Sequence, residues 1–198
     1  MESLDQARAA LVRERVLAAV SDLVAAGDDV TFAKAAAAAG VPERTLYRHF
    51  PNRQALIAAL FDHVNRQVGF EGRLPTTPEE MTAMVRQVFP GFDTLAPVVA
   101  ELLTSPEGRN ARLAAADERR AAATALVAGA RPDLDAGTAA HVAAVVQVLG
   151  TAAVWQALRD FWDLDGDAAA AAVTTVIDAL LTDPGATGAT TASTTGGN

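Results

Sequence analysis

Apolar residues recur every three or four positions along most of the chain, which is the spacing of one face of an α-helix. Three stretches show this spacing clearly, and their apolar members are Leu11, Val12, Val16, Val20, Leu23, Val24, Leu56, Ile57, Leu60, Phe61, Val64, Val173, Val176, Ile177, Leu180 and Leu181. Nothing in the sequence argues for a sheet. The pattern predicts an all-α protein of about nine helices.

Capping and helix-breaking residues between these stretches set the first boundaries. Residues 77–80 (TPEE) and 105–107 (SPE) combine a capping hydroxyl, a proline at the first helical position and acids that suit the helix dipole. Ser3 and Gln6 form a capping-box pattern before the first helix, and Gly27 ends that helix. Each of these signals predicts a helix terminus.

The later helices are bounded in the same way. Residues 90–91 (Pro-Gly) end one helix, and a short helix follows at about 93–103. A long helix is predicted from 105 to 129. Two more, at about 135–162 and 166–182, complete the helical part of the chain.

Residues 31–53, TFAKAAAAAGVPERTLYRHFPNR, predict two short helices joined by a tight turn. Thr31 can cap the first helix, and Gly40 ends it because glycine tolerates a left-handed backbone. Pro42 is favoured at the first position of the second helix, which runs to Phe50. Such a pair is typical of the helix-turn-helix, whose second helix lies in the DNA major groove.

The internal spacing of this pair agrees with that geometry. Ala36 is small where the two helices cross, and Leu46 and Phe50 are placed to turn inward. The outward face predicted to meet DNA is Glu43, Arg44, Thr45, Tyr47, Arg48 and His49. Arginines on such a face reach guanine edges or phosphates, whereas Thr31 and Lys34, at the start of the preceding helix, are placed for phosphates.

These residues resemble the DNA-binding signature of the tetracycline-repressor (TetR/AcrR) family of transcriptional regulators. AGV, followed by four residues and then LYRHF and NRQAL, is similar to that signature from the family's second helix into its fourth. The resemblance covers about residues 8–65 and is only architectural beyond them. Two positions depart from the family pattern: Pro42 stands where Ser or another capping residue is common, and Arg53 replaces the commoner Lys.

The resemblance implies a role for each matching position. It places Tyr47 on phosphate, Glu43, Arg44 and Thr45 on the bases, and His49 and Arg53 on the DNA backbone. Purely structural alternatives exist, since the ring of Tyr47 can pack between helices and the carboxylate of Glu43 can stabilise a helix N-terminus. The family also implies a homodimer and a small molecule bound among the C-terminal helices.

Composition narrows the class of protein. Of the 198 residues, 51% are hydrophobic and 5% aromatic, and alanine supplies the excess, which favours closely packed helices. The absence of cysteine excludes disulfides and thiolate metal sites and fits a reducing compartment. The charged N-terminal segment lacks the apolar core of a secretory signal, so we expect a cytoplasmic protein.

The net charge of −8 alone would argue against binding nucleic acid, but the charges are unevenly distributed. Residues 1–70 carry eight basic and eight acidic side chains, whereas residues 71–198 carry eight basic and sixteen acidic ones. Residues 31–53 hold four basic side chains and one acidic. A small basic surface on an acidic molecule can orient its approach to DNA and suppress binding through other faces.

The chain is therefore divided into a helix-turn-helix domain (1–51), a helical regulatory and dimerisation domain (52–183) and a tail (184–198) expected to be disordered. The run VAAVVQVLGTAAVWQAL is apolar nearly all round and needs cover from its own domain and from a partner. It is too short and too interrupted for a membrane span. Together with the final helix, it predicts a four-helix interface between two subunits.

A second site is predicted in the C-terminal domain. The candidates for contact with an effector are Met81, Met84, Val88, Phe92, Trp155 and Trp162. A methionine and aromatic stripe occurs in cores as well as in pockets. The scarcity of charge in it predicts an apolar or weakly polar effector. The charged run at 117–123, DERRAAA, is interpreted as a solvated face with no special role for Arg119 or Arg120.

Together with what the resemblance implies, these patterns predict a homodimeric, ligand-responsive transcriptional repressor that places two recognition helices in successive major grooves, about 34 Å apart. No cofactor, catalytic residue or metal ligand is predicted, because the sequence lacks Glu-x-x-His, H-E-x-x-H, G-x-S-x-G and phosphate-binding glycine loops. His63 is expected on a helix surface, and His141 at the start of a buried helix. The alternatives are a helical small-molecule-binding or protein-interaction module and an enzyme.

Overall fold

The computed structural model describes residues 4–182, and within that range it consists of eleven helices and no strand. The helices are α1 (Leu4–Ala25), α2 (Phe32–Ala39), α3 (Glu43–His49), α4 (Arg53–Gln67), α5 (Pro78–Thr94), α6 (Ala96–Thr104), α7 (Pro106–Ala114), α8 (Ala116–Ala130), α9 (Ala136–Leu149), α10 (Ala152–Trp162) and α11 (Gly166–Leu181). The all-α prediction is confirmed. The predicted cap at Ser3 and the predicted disordered tail lie outside the described residues.

Two segments that the sequence predicted as single long helices are each divided in two. The segment at 105–129 breaks at Ala115, which lies between α7 and α8. The segment at 135–162 breaks at Gly150, and α9 and α10 meet there at a bend of 68°. A Cβ on Gly150 would lie 2.4 Å from the terminal methyl of Met81, so a larger residue at this position would require the Met81 side chain to move.

The reverse error occurs at Pro90, where the sequence predicted a helix end. Helix α5 continues through Pro90 to Thr94, because packing against α11 holds its last turn in place. Gly166 lies so close to this turn that a Cβ would be 2.5 Å from the Phe89 carbonyl oxygen. Beyond the proline, Asp93 accepts hydrogen bonds from the Trp155 indole at 3.0 Å and from the Gly166 amide at 2.5 Å.

Helices α1, α2 and α3 form a small three-helix group, called here the N-terminal unit. Its core residues are fully or almost fully buried: Val16, Leu17, Val20, Ala35, Ala36, Leu46 and Phe50. The second helix of the predicted pair begins one residue later than expected. Pro42 has extended backbone angles and occupies the N-cap position, so the helix itself starts at Glu43.

Helix α4 connects this unit to the body, which comprises α5 to α11. It packs on α1 on one side and on α7 on the other. His63 of α4 was predicted on the surface, and that prediction is wrong: the residue is buried, and its Nδ1 lies 2.9 Å from Glu14 of α1. Arg66 donates to the same carboxylate at 2.8 Å. This cluster fixes the angle between α1 and α4.

In the body, α5 packs along α11 and α8 packs along α9. Helix α9 buries only Ala143 and Val146, and His141 is exposed, so the expectation that His141 opens a buried helix is wrong for the single chain. Among residues 4–182, no single helix is long and apolar enough to cross a membrane; α9 and α10 pass that test of length and composition only as a bent pair.

Candidate nucleic-acid interface

The turn between α2 and α3 fixes where α3 lies. Gly40 adopts a left-handed conformation with φ of 62°, as predicted, and its amide donates to the Ala37 carbonyl at 3.1 Å. The next amide, of Val41, donates to the Ala36 carbonyl at 3.0 Å. These two hydrogen bonds close the C-terminal end of α2. At the start of α2, the Thr31 hydroxyl accepts from the Lys34 amide at 3.2 Å, so the predicted cap is present.

Helix α3 buries one side and presents the other to solvent. Leu46, within it, and Phe50, which ends it, are both fully buried. The side chains on the opposite side are exposed at Glu43, Arg44, Tyr47 and Arg48 and partly exposed at Thr45 and His49. Within residues 4–182, neither Arg44 nor Arg48 forms a salt bridge. The helix therefore offers two unneutralised guanidinium groups on a projecting polar face.

Tyr47 both packs and protrudes. Its ring stacks on Phe32 of α2, with ring centroids 4.5 Å apart and planes inclined by 20°. The residue nevertheless stays half exposed. Stacking limits the rotamers of the ring, so the phenol can meet a phosphate with little further loss of side-chain entropy. The packing and phosphate-binding interpretations of Tyr47 are thus compatible.

His49 is turned toward the protein more than the sequence indicated. Its Nε2 is buried and has no hydrogen-bond partner in the described part of the chain. Burial, and then the nearby charges of Arg48 and Arg13, hold the pKa of His49 below its usual value of 6.5. The ring is therefore mostly neutral at pH 7, and the charged contact with the DNA backbone that the resemblance implies has no support here.

Arg53 has three partners inside the protein. Its guanidinium donates to the Val30 carbonyl at 2.6 Å, in the loop before α2. It also lies 3.3 Å from Glu107 and 3.6 Å from Glu101, on either side of the α6–α7 junction. Arg53 therefore links the N-terminal unit to the body. Lys34 of α2 forms an ion pair with Asp28 at 3.0 Å, and both side chains are about half exposed.

Part of the chain is similar to a known protein family. Residues 25–60 match the family described as "Bacterial regulatory proteins, tetR family", over a span that runs from the end of α1 into α4 and contains the whole of α3. The helix-turn-helix segment of the chain is therefore that of the tetR family. The protein is accordingly a DNA-binding transcriptional regulator with a helix-turn-helix domain. A search of curated proteins found no match.

This protein also contains a cavity of about 330 Å³ in its body. Of the six residues predicted to contact an effector, Met81, Met84, Val88 and Phe92 line it. The two tryptophans do not line it. Trp155 is buried behind Phe92, with ring centroids 5.5 Å apart, and Trp162 is exposed at the end of α10.

Several residues that line the cavity were not foreseen. Phe61, Val64 and Asn65 belong to α4, the helix that begins with Arg53, and Val68 is the C-cap of that helix. Phe61 and Val64 belong to the predicted inward stripe of this helix, whereas Asn65 and Val68 do not, and the spacing did not indicate which part of the stripe would meet the cavity. The other unforeseen residues include Arg112 and Arg119, which lie on different helices. No local sequence signal brings these two together.

Proposed function

We propose that this regulator is a repressor that binds a palindromic operator as a homodimer and is released from DNA by a small molecule bound in the body. In this proposal residues 1–51 read the DNA and residues 52–183 carry dimerisation and regulation. The observation that supports it most directly is the position of α3, whose apolar side is fully buried while its arginines are exposed and form no salt bridge within residues 4–182.

Exposed apolar side chains on the last helices support the dimer. Val145 and Val148 of α9 and Val176 of α11 are each about half exposed, and α9 packs against α11. Such residues gain stability when a second subunit covers them. A twofold dimer through these helices would present two copies of α3 to one face of the DNA.

A path between cavity and DNA supports regulation by a ligand. The wall contributed by α4 touches the cavity through its middle and last turns, while Arg53 at its start holds the Val30 carbonyl of the N-terminal unit. Gln54, the next residue, donates to the Glu107 carbonyl at 3.2 Å and accepts from Asn110 at 3.1 Å. A ligand that fits one position of α4 better than another would shift the spacing of the two α3 helices.

Selection of an operator from random DNA tests the DNA-binding part of the proposal. We expect an inverted repeat whose half-sites are centred one helical turn apart or a multiple of it. Fluorescence anisotropy should then show that Arg44→Ala weakens binding by about 10- to 100-fold, as expected for a base contact of about 1–3 kcal/mol. Arg86→Ala, which removes the same charge from an exposed site on α5, is the matched control.

Two results would contradict this proposal. Recovery of no repeated sequence, with equal binding by Arg44→Ala and Arg86→Ala, would favour a helical small-molecule-binding module without an operator. A single-subunit mass in sedimentation velocity, with and without DNA, would remove the dimer. Either result is independent of the ligand.

A further inference from the structure

Two arginines line a cavity that is otherwise apolar or uncharged. Arg112 of α7 and Arg119 of α8, called here the arginine pair, are both partly buried at its wall. The uncharged polar residues of the lining are Asn65, Gln147 and Thr151. No Asp or Glu is among the described residues that line it. A ligand in the cavity would therefore meet positive charge at one part of an apolar wall.

The arginine pair has no acidic partner in the described range. Arg112 donates to the Leu102 carbonyl, and Arg119 donates to the carbonyl of Arg112 itself. Neither guanidinium lies within 4.0 Å of a carboxylate in residues 4–182. This is unexpected in a protein of 24 acidic and 16 basic side chains, because most partly buried arginines would find a partner.

Three of the four acidic residues nearest in sequence are engaged elsewhere, and the fourth, Glu118, is exposed on α8 and forms no ion pair within residues 4–182. Glu101 and Glu107 both lie against Arg53, and Asp117 pairs with the exposed Arg120 at 3.2 Å. Burial, and then the neighbouring charge of Arg109, lower the pKa of Arg112, which nevertheless stays protonated at neutral pH. Within residues 4–182, no carboxylate is paired with the positive charge at this wall.

We propose that the cavity binds an amphipathic anion, with its apolar chain among Met81, Met84, Phe92 and their neighbours and its carboxylate or phosphate group on the arginine pair. The inference rests on the proposed ligand-responsive function and changes the expected effector from an apolar or weakly polar molecule to a charged one. The planar guanidinium suits both oxyanions, since it can donate two parallel hydrogen bonds to either.

The same contact acts on the junction that holds the N-terminal unit. Arg112 donates to the carbonyl of Leu102, in the last turn of α6. An anion on Arg112 competes with that carbonyl and loosens the link between α6 and α7. Glu101 and Glu107, which flank this junction, hold Arg53. In this proposal, binding of the anion therefore displaces Arg53, whose guanidinium positions α4 and the loop before α2.

Calorimetry with probes that share one tail tests the proposal. Decanoate, decyl phosphate, 1-decanol and decylamine are titrated separately into the full-length protein. We expect at least one anion to bind at least tenfold more tightly than the alcohol, and the amine to bind most weakly. The carboxylate and phosphate arms identify which oxyanion the arginine pair prefers.

Variants of the arginine pair identify the contact. Arg119→Gln should reduce the preference for anion over alcohol by about tenfold and leave the affinity for the alcohol unchanged. Arg112→Gln should do the same. If Arg112→Gln fails to fold because the hydrogen bond to the Leu102 carbonyl is lost, Arg112→Lys, which keeps the charge, replaces it and should retain the preference for the anion. Arg120→Gln on the same helix is the control, because Arg120 is exposed and bound to Asp117.

Three outcomes would overturn the proposal. They are equal affinity for anion and alcohol, no binding of any anion, and an unchanged preference in folded Arg119→Gln protein. Operator binding is measured on the same samples without any probe. Intact operator binding with no anion binding would remove only this inference, whereas anion binding without an operator would remove only the DNA-binding proposal.

Discussion

The N-terminal unit and the cavity of the body each present a pair of arginines that have no acidic partner in the described part of the chain, but in opposite settings. Arg44 and Arg48 project from a short helix whose other side is fully buried, whereas Arg112 and Arg119 point along the wall of an apolar cavity. A projecting pair can approach a polyanion such as DNA, while a recessed pair accepts only a small anion with an apolar part. The surroundings of the charge, rather than the charge itself, select the partner.

The two regions also differ in how completely their cores are filled. Val16, Leu17, Val20 and Leu46 are fully buried in the N-terminal unit, and the cavity lies in the body, with a wall that includes part of α4. A filled core holds α3 in one orientation. A cavity leaves the body able to change its packing when a ligand enters, which is the property that a regulated domain needs.

The largest expected effect comes from creating a cavity in the core of the N-terminal unit. Leu46→Ala removes a fully buried side chain and should lower the free energy of unfolding by about 2–5 kcal/mol. Operator binding should fall with it, because the orientation of α3 depends on this contact. Urea denaturation followed by circular dichroism gives the first quantity and fluorescence anisotropy the second.

Leu11→Ala is the control for this prediction. Leu11 lies in the same unit but is 71% exposed, so its truncation should change stability by no more than about 0.5 kcal/mol. Equal losses in the two variants would mean that the N-terminal unit is not the tightly packed region that the comparison requires.

The next effect concerns the body, where one carboxylate joins three elements. Asp93 of α5 accepts from the Trp155 indole of α10 and from the Gly166 amide at the start of α11. Asp93→Asn replaces one acceptor oxygen by an NH₂ group, so one donor loses its partner at a cost of about 1–3 kcal/mol. We expect a lower urea midpoint with operator affinity changed less than twofold at 25 °C.

Asp160→Asn on α10 is the control for Asp93→Asn, since Asp160 is exposed. It should leave the midpoint unchanged. Loss of operator affinity in folded Asp93→Asn protein would show that the orientation of α3 depends on the packing of the body.

The contrast between the two regions also explains what the sequence could predict. The geometry of α3 follows from residues within ten positions of one another: Gly40 sets the turn, and Leu46 and Phe50 set the buried side. These local rules predicted the outward face. The partial burial of His49 was not predicted, because it depends on tertiary packing that places Arg13 of α1 over the ring of Phe50, the residue next to His49.

The cavity, by contrast, depends on contacts that no local pattern contains. Arg119 and Arg120 are adjacent in a charged run, and Arg120 is solvated as predicted while Arg119 lines the cavity. Consecutive residues of an α-helix face directions about 100° apart, so one of the two can line the cavity while the other is exposed. Which of them faces inward depends on how α8 packs in the body. His63 and Glu14, which are 49 residues apart, likewise required the angle between α1 and α4.

A smaller effect is expected at Arg53, which lies between the two regions. The resemblance places it on the DNA backbone, whereas in the structure it holds Val30, Glu101 and Glu107. We expect Arg53→Gln to lower the free energy of unfolding by about 1–2 kcal/mol, through the hydrogen bond to the Val30 carbonyl more than through the partly exposed ion pairs. The salt dependence of operator binding should be preserved.

Arg48→Gln is the comparison for that measurement. Loss of one phosphate contact reduces the slope of log affinity against log salt concentration by about one. We expect this reduction for Arg48→Gln and a change of less than about half that size for Arg53→Gln. A full unit lost in Arg53→Gln would assign the residue to the DNA interface and weaken its role as a link to the body.

The smallest expected effect is a pH dependence at the edge of the DNA-binding face. The pKa of His49 is lower in the folded protein than its usual 6.5, because the ring is partly buried and lies near Arg48 and Arg13. Below about pH 6.5 the unfolded chain therefore takes up this proton more readily than the folded one, and stability falls as the pH drops through that value. His49→Gln should lose less stability between pH 7.5 and 5.5.

Urea midpoints at these two pH values measure the difference, with His141→Gln, an exposed histidine, as the control. The carboxylates with lowered pKa, Glu79, Asp133 and Asp135, have reference values of 4.5 or less and stay ionised throughout this window, so they do not contribute. Identical losses in the wild-type and His49→Gln proteins would mean that the ring is solvated and belongs with the projecting arginines. A smaller loss in His49→Gln places His49 with the packed side of α3, where a charge is unfavourable until a phosphate approaches.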